Sequence, residues 1–140
     1  MLLTKQQTMR HQEKNVVGLW LDHKHAFIIR TADRKIGGTY EMVKKIDREV
    51  HTDENYKNEQ FELAKNNAEI KKYFKAITDE IVQDHVIFIF GPGKAQEEFK
   101  NVLKDILTFK NKEIAVGKSD KLSINQMIAR VVAHFGSGTD

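Results

Sequence analysis

Val86-Ile87-Phe88-Ile89-Phe90, followed at once by Gly91-Pro92-Gly93-Lys94, is the stretch on which the fold turns. Five apolar residues without alternation predict a strand covered on both faces, as in parallel sheet, and make this segment the candidate for the middle of the sheet. Gly91-Pro92-Gly93 then stops it. Upstream, Ile70, Tyr73, Phe74, Ile77 and Ile81 recur at helical spacing, with Lys71, Lys72, Lys75, Asp79 and Glu80 left for water, which predicts an amphipathic helix ending near Val82. Downstream, Ala95, Phe99, Val102, Leu103, Ile106 and Leu107 predict a second helix. Glu113-Ile114-Ala115-Val116-Gly117 predicts a short strand. Ile124, Met127, Ile128, Val131, Val132 and Phe135 predict a third helix, opened by a Ser123/Gln126 capping box and closed at Gly136.

The first third of the chain has a different period. Val16-Val17-Gly18-Leu19-Trp20-Leu21 and Ala26-Phe27-Ile28-Ile29-Arg30-Thr31 flank the polar Asp22-His23-Lys24-His25, which predicts two strands joined by a tight turn. After the breaker cluster around Asp33 and Gly37-Gly38, the residues Tyr40, Met42, Val43, Ile46 and Val50 predict a third strand. Its Lys, Asp and Arg content fits a sheet edge, where charge discourages pairing between molecules. His51 to Gln60 is polar and reads as a connection. The expected fold class is therefore α/β, a mixed sheet of about five strands in the order β-β-β-α-β-α-β-α, which is the ribonuclease H-like topology. Expected boundaries are a flexible tail over 1–15, one domain over 16–135 and a flexible tail over 136–140.

Composition narrows the chemistry. The chain has 140 residues, 40% hydrophobic and 31% charged, a size and balance expected of one domain. It has no cysteine, which removes disulfides, thiolate metal sites and thiol catalysis. No apolar run reaches the ~20 residues of a membrane span, and Met1-Leu2-Leu3 passes directly into polar residues, so a cytoplasmic protein without membrane contact is expected. The net charge of +3 is spread evenly, with 11 basic against 9 acidic residues over 1–60 and 12 against 11 over 61–140. This is the pattern of a solvated surface, mildly compatible with contact to RNA.

Each candidate for chemistry has a plain structural counterpart. Asp22, at the end of the first strand, could begin a two-metal carboxylate set with Glu62 or Glu69, but Phe90-Gly91-Pro92-Gly93 offers no carboxylate where a ribonuclease H-like metal site needs one. A turn residue is the simpler role. Gly93-Lys94 fails as a Walker loop, since Phe88 stands where the opening Gly belongs and Ala95 where Ser or Thr belongs, and Gln96 replaces the third Gly of G-x-G-x-x-G. What remains is a strand-to-helix turn that can present backbone N–H groups and a lysine to an anion. His23 and His25 have strand spacing for a metal but lack an evident third ligand. Trp20 could stack a base or sit in the core.

Taken together, Gly18-Leu19-Trp20-Leu21-Asp22, Ala26 and Phe90-Gly91-Pro92-Gly93-Lys94 resemble the central domain of eukaryotic and archaeal class I peptide release factors and of Pelota. More closely, they resemble small bacterial proteins related to that domain, often labelled host-attachment or translational-machinery proteins. The resemblance spans about residues 16–135 and implies a ribonuclease H-like fold. In the release factors a Gly-Gly-Gln loop promotes peptidyl-tRNA hydrolysis; its place here is His51–Gln60, which holds no such tripeptide, and Gly37-Gly38-Thr39 lies one connection too early. What the resemblance implies is a non-catalytic, cofactor-free domain that contacts the ribosome, tRNA or another translation component. The surface expected to do so comprises Gly91, Gly93, Lys94, Lys118 and Lys121, since strand ends in α/β sheets converge there. Two alternatives stand beside it: a metal-dependent nuclease or phosphoesterase using Asp22, and an adaptor, monomeric or paired as a homodimer through the charged third strand.

Overall fold

The computed structural model describes residues 13–49 and 59–136. Strands β1 (Val16–Leu21), β2 (His25–Arg30) and β3 (Glu41–Asp47) form a meander, followed by helix α1 (Glu59–Ile81), β4 (Val86–Gly91), α2 (Ala95–Lys104), a single 3-10 turn (Leu107–Phe109), β5 (Glu113–Lys118) and α3 (Ile124–Phe135). The sheet order is β3-β2-β1-β4-β5. β1 runs antiparallel to β2 and parallel to β4, and β4 runs parallel to β5, so the sheet is mixed as the element order requires. Val50, the expected end of the third strand, and residues 51–58 lie outside the described residues, as do 1–12 and 137–140.

β1, not β4, occupies the middle of the sheet. Hydrophobic continuity cannot separate the two, because all six residues of each are buried. What places β1 is that it closes the meander on one side and receives the first crossover on the other. Alternation along both strands feeds two cores. Val17, Leu19, Leu21, Ile87 and Ile89 meet Tyr73, Phe74, Ile77, Ile81, Phe99 and Leu103 beneath α1 and α2. Val16, Trp20, Val86, Phe88 and Phe90 meet Met127, Val131 and Phe135 beneath α3. Gly18 lies on this second face, where α3 approaches so closely that a Cβ would stand 2.3 Å from Val131 Cγ2.

Several boundaries differ from the periodicity, among them the start of α1, which at Glu59 takes in the last two residues of the expected His51–Gln60 connection. α2 stops at Lys104, since Ile106 is already extended (φ −97°, ψ 120°); Leu107 is 78% exposed and Phe109 fills the core position instead. The chain there has reached the foot of the sheet and must turn back to start β5 beside Val86. Tyr40 precedes β3 rather than joining it, buried and stacked on Phe135 at 6.3 Å between ring centroids. Asn15, which the sequence assigns to a loose tail, is fastened: its N–H donates to His85 Nδ1 at 3.1 Å and its carbonyl accepts from the N–H groups of His85 and Val86. That residue aligns the starts of β1 and β4.

The α3 start forms as its sequence signals. Gln126 N–H donates to Ser123 Oγ at 3.2 Å while Gln126 Oε1 accepts from Ser123 N–H at 2.9 Å, and Gly136 closes the helix at φ 79°. Ser123→Ala is expected to lower stability by about 1 kcal/mol in urea unfolding followed by circular dichroism, because the Gln126 N–H loses its acceptor.

Candidate functional site

The carboxyl ends of the parallel strands β1, β4 and β5 meet at one edge of the domain, and their loops are tied together by the backbone. Gly91 is in register with Lys118 across β4 and β5, and Ser119 N–H donates to the Gly91 carbonyl at 2.9 Å. The Gln96 side chain, 1% exposed, reaches back from the first turn of α2, and its Nε2 donates to the carbonyls of Gly91 (3.0 Å) and Gly93 (2.8 Å). This amide holds the Gly-Pro-Gly turn rigid. Gly91 itself admits no side chain: a Cβ would lie 2.1 Å from the Leu21 carbonyl oxygen. Here the requirement for glycine comes from the close approach of β1.

Gly91 is thus buried scaffolding, whereas Gly93, Lys94, Lys118 and Lys121 are exposed. Lys94 is the N-cap of α2 and provides no side-chain cap, so the first-turn N–H groups keep no side-chain acceptor from that position. Lys118 ends β5 and Lys121 follows in the loop before α3. Among the described residues none of these three ammonium groups takes part in an ion pair. Acidic residues share the edge. Glu97 and Glu98 occupy the first turn of α2, where they complement the helix dipole, and Glu98 Oε2 lies 2.8 Å from His23 Nε2. The basic character of this surface therefore belongs to the lysine side chains more than to the helix terminus.

Two further residues shape the same surface. Arg130 of α3 donates from Nη2 to the Lys118 carbonyl at 3.3 Å and sets its guanidinium 5.9 Å from the centre of the Phe90 ring. Ser119 Oγ accepts a hydrogen bond from Trp20 Nε1 at 3.3 Å. Trp20 is 3% exposed and packs edge-on against Phe27, so it is a core residue and no platform for a base. Neither Arg130 nor Ser119 carries a motif; both are found only once the register of β5 is known.

The metal candidates are dispersed. Asp22 Oδ1 accepts from the N–H groups of Lys24 and His25, each at 2.7 Å, which is an Asx turn closing the β1–β2 hairpin. The Asp22 carbonyl accepts from Tyr73 Oη at 2.9 Å, and burial pushes the Tyr73 phenol up, which keeps it a donor. His23 faces Glu98 while His25 Nδ1 pairs with Asp47 at 2.7 Å, and that hydrogen bond holds the Asp47 carboxyl below its usual range. Glu69 sits 3.4 Å from Arg48. No group of three metal-ligating side chains occurs among the described residues, and no helix of the described residues is long and apolar enough to cross a membrane.

The sheet order and the flanking helices define an α/β domain of the ribonuclease H-like type. Among solved structures, Pelota of Archaeoglobus fulgidus superposes with a TM-score of 0.58 at 11% identity, over 96% of this chain and 35% of that one. An archaeal translation termination factor aligns at 15% identity over 94% of this chain and 42% of its own, with a TM-score of 0.48, too loose a superposition to carry weight. The chain spans about a third of the length of the Pelota it resembles, and the likeness is one of fold. No protein-family model and no curated protein matches the chain.

Proposed function

We propose that this domain is a non-catalytic, release-factor-like module that binds the ribosome, tRNA or another component of the translation apparatus through Lys94, Lys118 and Lys121. The observation that carries the reading is the likeness of nearly the whole chain to part of Pelota. The strand-end surface supplies a chemical rationale. Lys94 follows the turn that the Gln96 amide stiffens, Lys118 ends β5 and Lys121 follows in the next loop; among the described residues none of the three has an ion-pair partner, so they meet phosphate without first breaking a salt bridge. The same fold accommodates metal-dependent nucleases, yet Asp22 here spends its Oδ1 on the hairpin turn, which favours the binding role.

Co-sedimentation of the protein with ribosomes through sucrose gradients at low and moderate salt tests the proposal. Association at low salt that weakens as salt rises is expected. The triple variant Lys94→Glu, Lys118→Glu, Lys121→Glu is expected to stay at the top. In a direct titration each lysine that contacts phosphate is expected to account for about one unit of the salt slope. Free protein at the top of every gradient for the native chain sinks the proposal, and cleavage of labelled RNA with Mg²⁺ that Asp22→Ala abolishes replaces it with the nuclease.

A further inference from the structure

The two edges of the sheet are built differently. β3 exposes Glu41, Lys44, Lys45 and Asp47, and its pairing with β2 shifts register between Ile28 and Ile29; both features blunt an edge. β5 carries the uncharged run Ile114-Ala115-Val116-Gly117 with charges only at its ends, and has a neighbour on one side only. Glu113 N–H donates to the His85 carbonyl and Ser119 N–H to that of Gly91, so the odd-numbered residues turn their peptide groups towards β4. By alternation, Ile114, Val116 and Lys118 present theirs outward. Among the described residues, the one hydrogen bond met on that side is Arg130 at the Lys118 carbonyl.

We propose that β5 pairs with β5 of a second copy of this chain, antiparallel about a two-fold axis at Val116, to form one continuous sheet. Symmetry and pleat restrict the register. A two-fold perpendicular to the sheet keeps each face on its own side, so the axis must pass through a residue rather than between two. With Ala115 on the axis, Lys112 lies abreast of Lys118 of the other copy, a like-charge pair. With Val116 on the axis, Lys112 lies abreast of Asp120, Glu113 lies diagonal to Lys121 on the α3 face, and Ala115 lies abreast of Gly117, two small residues that allow close approach. Lys112 is held on the carbonyls of Val82 and Asp84, and Glu113 also has an interaction within its own chain, so these charges select the register rather than supply most of the attraction. Ile114 comes to lie abreast of Lys118, whose aliphatic stem can cover it. A strand whose charges complement themselves in one register and clash in the other fits a second copy better than an arbitrary extended peptide.

Sedimentation equilibrium of the full chain over a wide concentration range tests this, read against the 16.2 kDa monomer mass. A concentration-dependent species of twice that mass is expected. Val116→Pro removes an outward N–H and part of a side chain packed against the α1 and α2 core, but no N–H that faces β4, so the β4 ladder survives and the variant is expected to keep its circular dichroism, with some loss of stability, while remaining monomeric. Ala115→Pro, which removes a β4-facing N–H, is the contrasting variant expected to damage the fold itself. Should Val116→Pro fail to fold, the charge pair decides: Glu113→Lys and Lys121→Glu singly each weaken dimerisation severalfold, and together restore it. A native chain that is monomeric at every concentration overturns the proposal. So does a folded Val116→Pro that still dimerises, or a charge pair whose single and double variants leave dimerisation unchanged.

Discussion

Arg30→Ala is expected to lower the free energy of unfolding by about 3–5 kcal/mol, the largest loss of any single exchange considered for this domain. Arg30 Nη2 lies 3.0 Å from Asp84 Oδ2, the two side chains being 7% and 0% exposed, and it also donates to the Glu80 carbonyl at 3.2 Å. Removing the guanidinium strands a carboxylate in the protein interior. The pair is itself incompletely satisfied, since Arg30 Nε and Asp84 Oδ1 have no hydrogen-bond partner among the described residues. Replacing both residues by Met and Leu is therefore expected to recover most of the loss, because the cost lies in the orphaned charge rather than in a strong net attraction. Urea unfolding of the native, single and double variants at one pH measures all three.

Acid discriminates further. Burial raises the Asp84 carboxyl above its ordinary 3.8, with Arg30 opposing the rise. A folded-state value above the unfolded one means that the stability linked to this proton is fully present below the unfolded pKa and is lost as pH climbs through the folded one. Without Arg30 the folded value rises further, so the deficit of Arg30→Ala is expected to shrink as pH is lowered from neutrality towards 4. Asp33 and Asp47 behave oppositely: both are depressed, and their contribution is lost as pH falls through their folded values. Common to both proteins, they cancel in the difference. A deficit that stays constant over this range contradicts the assignment of the cost to charged Asp84.

Gly18→Ala is expected to cost about 1–3 kcal/mol through overpacking. Gly18 is in register with Ile29 on one side and Phe88 on the other, in the strand at the middle of the sheet, so the backbone cannot retreat. The new methyl would meet Val131 Cγ2 at 2.3 Å and Cγ1 at 2.8 Å. Helix α3 must lift or Val131 must change rotamer. Val131→Ala in the same chain opens the space, and the double variant is expected to be more stable than the sum of the two single losses by about 0.5–3 kcal/mol. Strict additivity in urea unfolding means that the contact does not limit how closely α3 docks.

The elements were legible because their periods differ: the unbroken run at Val86–Phe90, the i, i+3, i+4 spacing of Ile70, Tyr73 and Phe74, and the Ser123/Gln126 box each survive intact in the structure. Which of two fully buried strands holds the middle was not legible, because burial on both faces erases the period that marks position. Leu107 continues the helical spacing of α2 but lies past the foot of the sheet, where period no longer implies contact. The Arg30–Asp84 pair was invisible for another reason: Arg30 closes an apolar run and Asp84 lies in the polar Gln83-Asp84-His85 between helix and strand, and at both places a solvated charge is the ordinary expectation. At the strand-end surface the lysines and glycines could be named from the turn and the loop alone. Gln96 could be seen only as a missing glycine, since its hydrogen bonds depend on the path of a backbone that had yet to be placed.

Trp20 is the single tryptophan of the chain, and its indole N–H rests on Ser119, between Lys118 and Lys121. The domain therefore carries its own optical reporter. Anything that seats on those lysines and draws the loop outward breaks that hydrogen bond and changes the polarity around the ring, so intrinsic fluorescence can follow occupancy of this surface without a label.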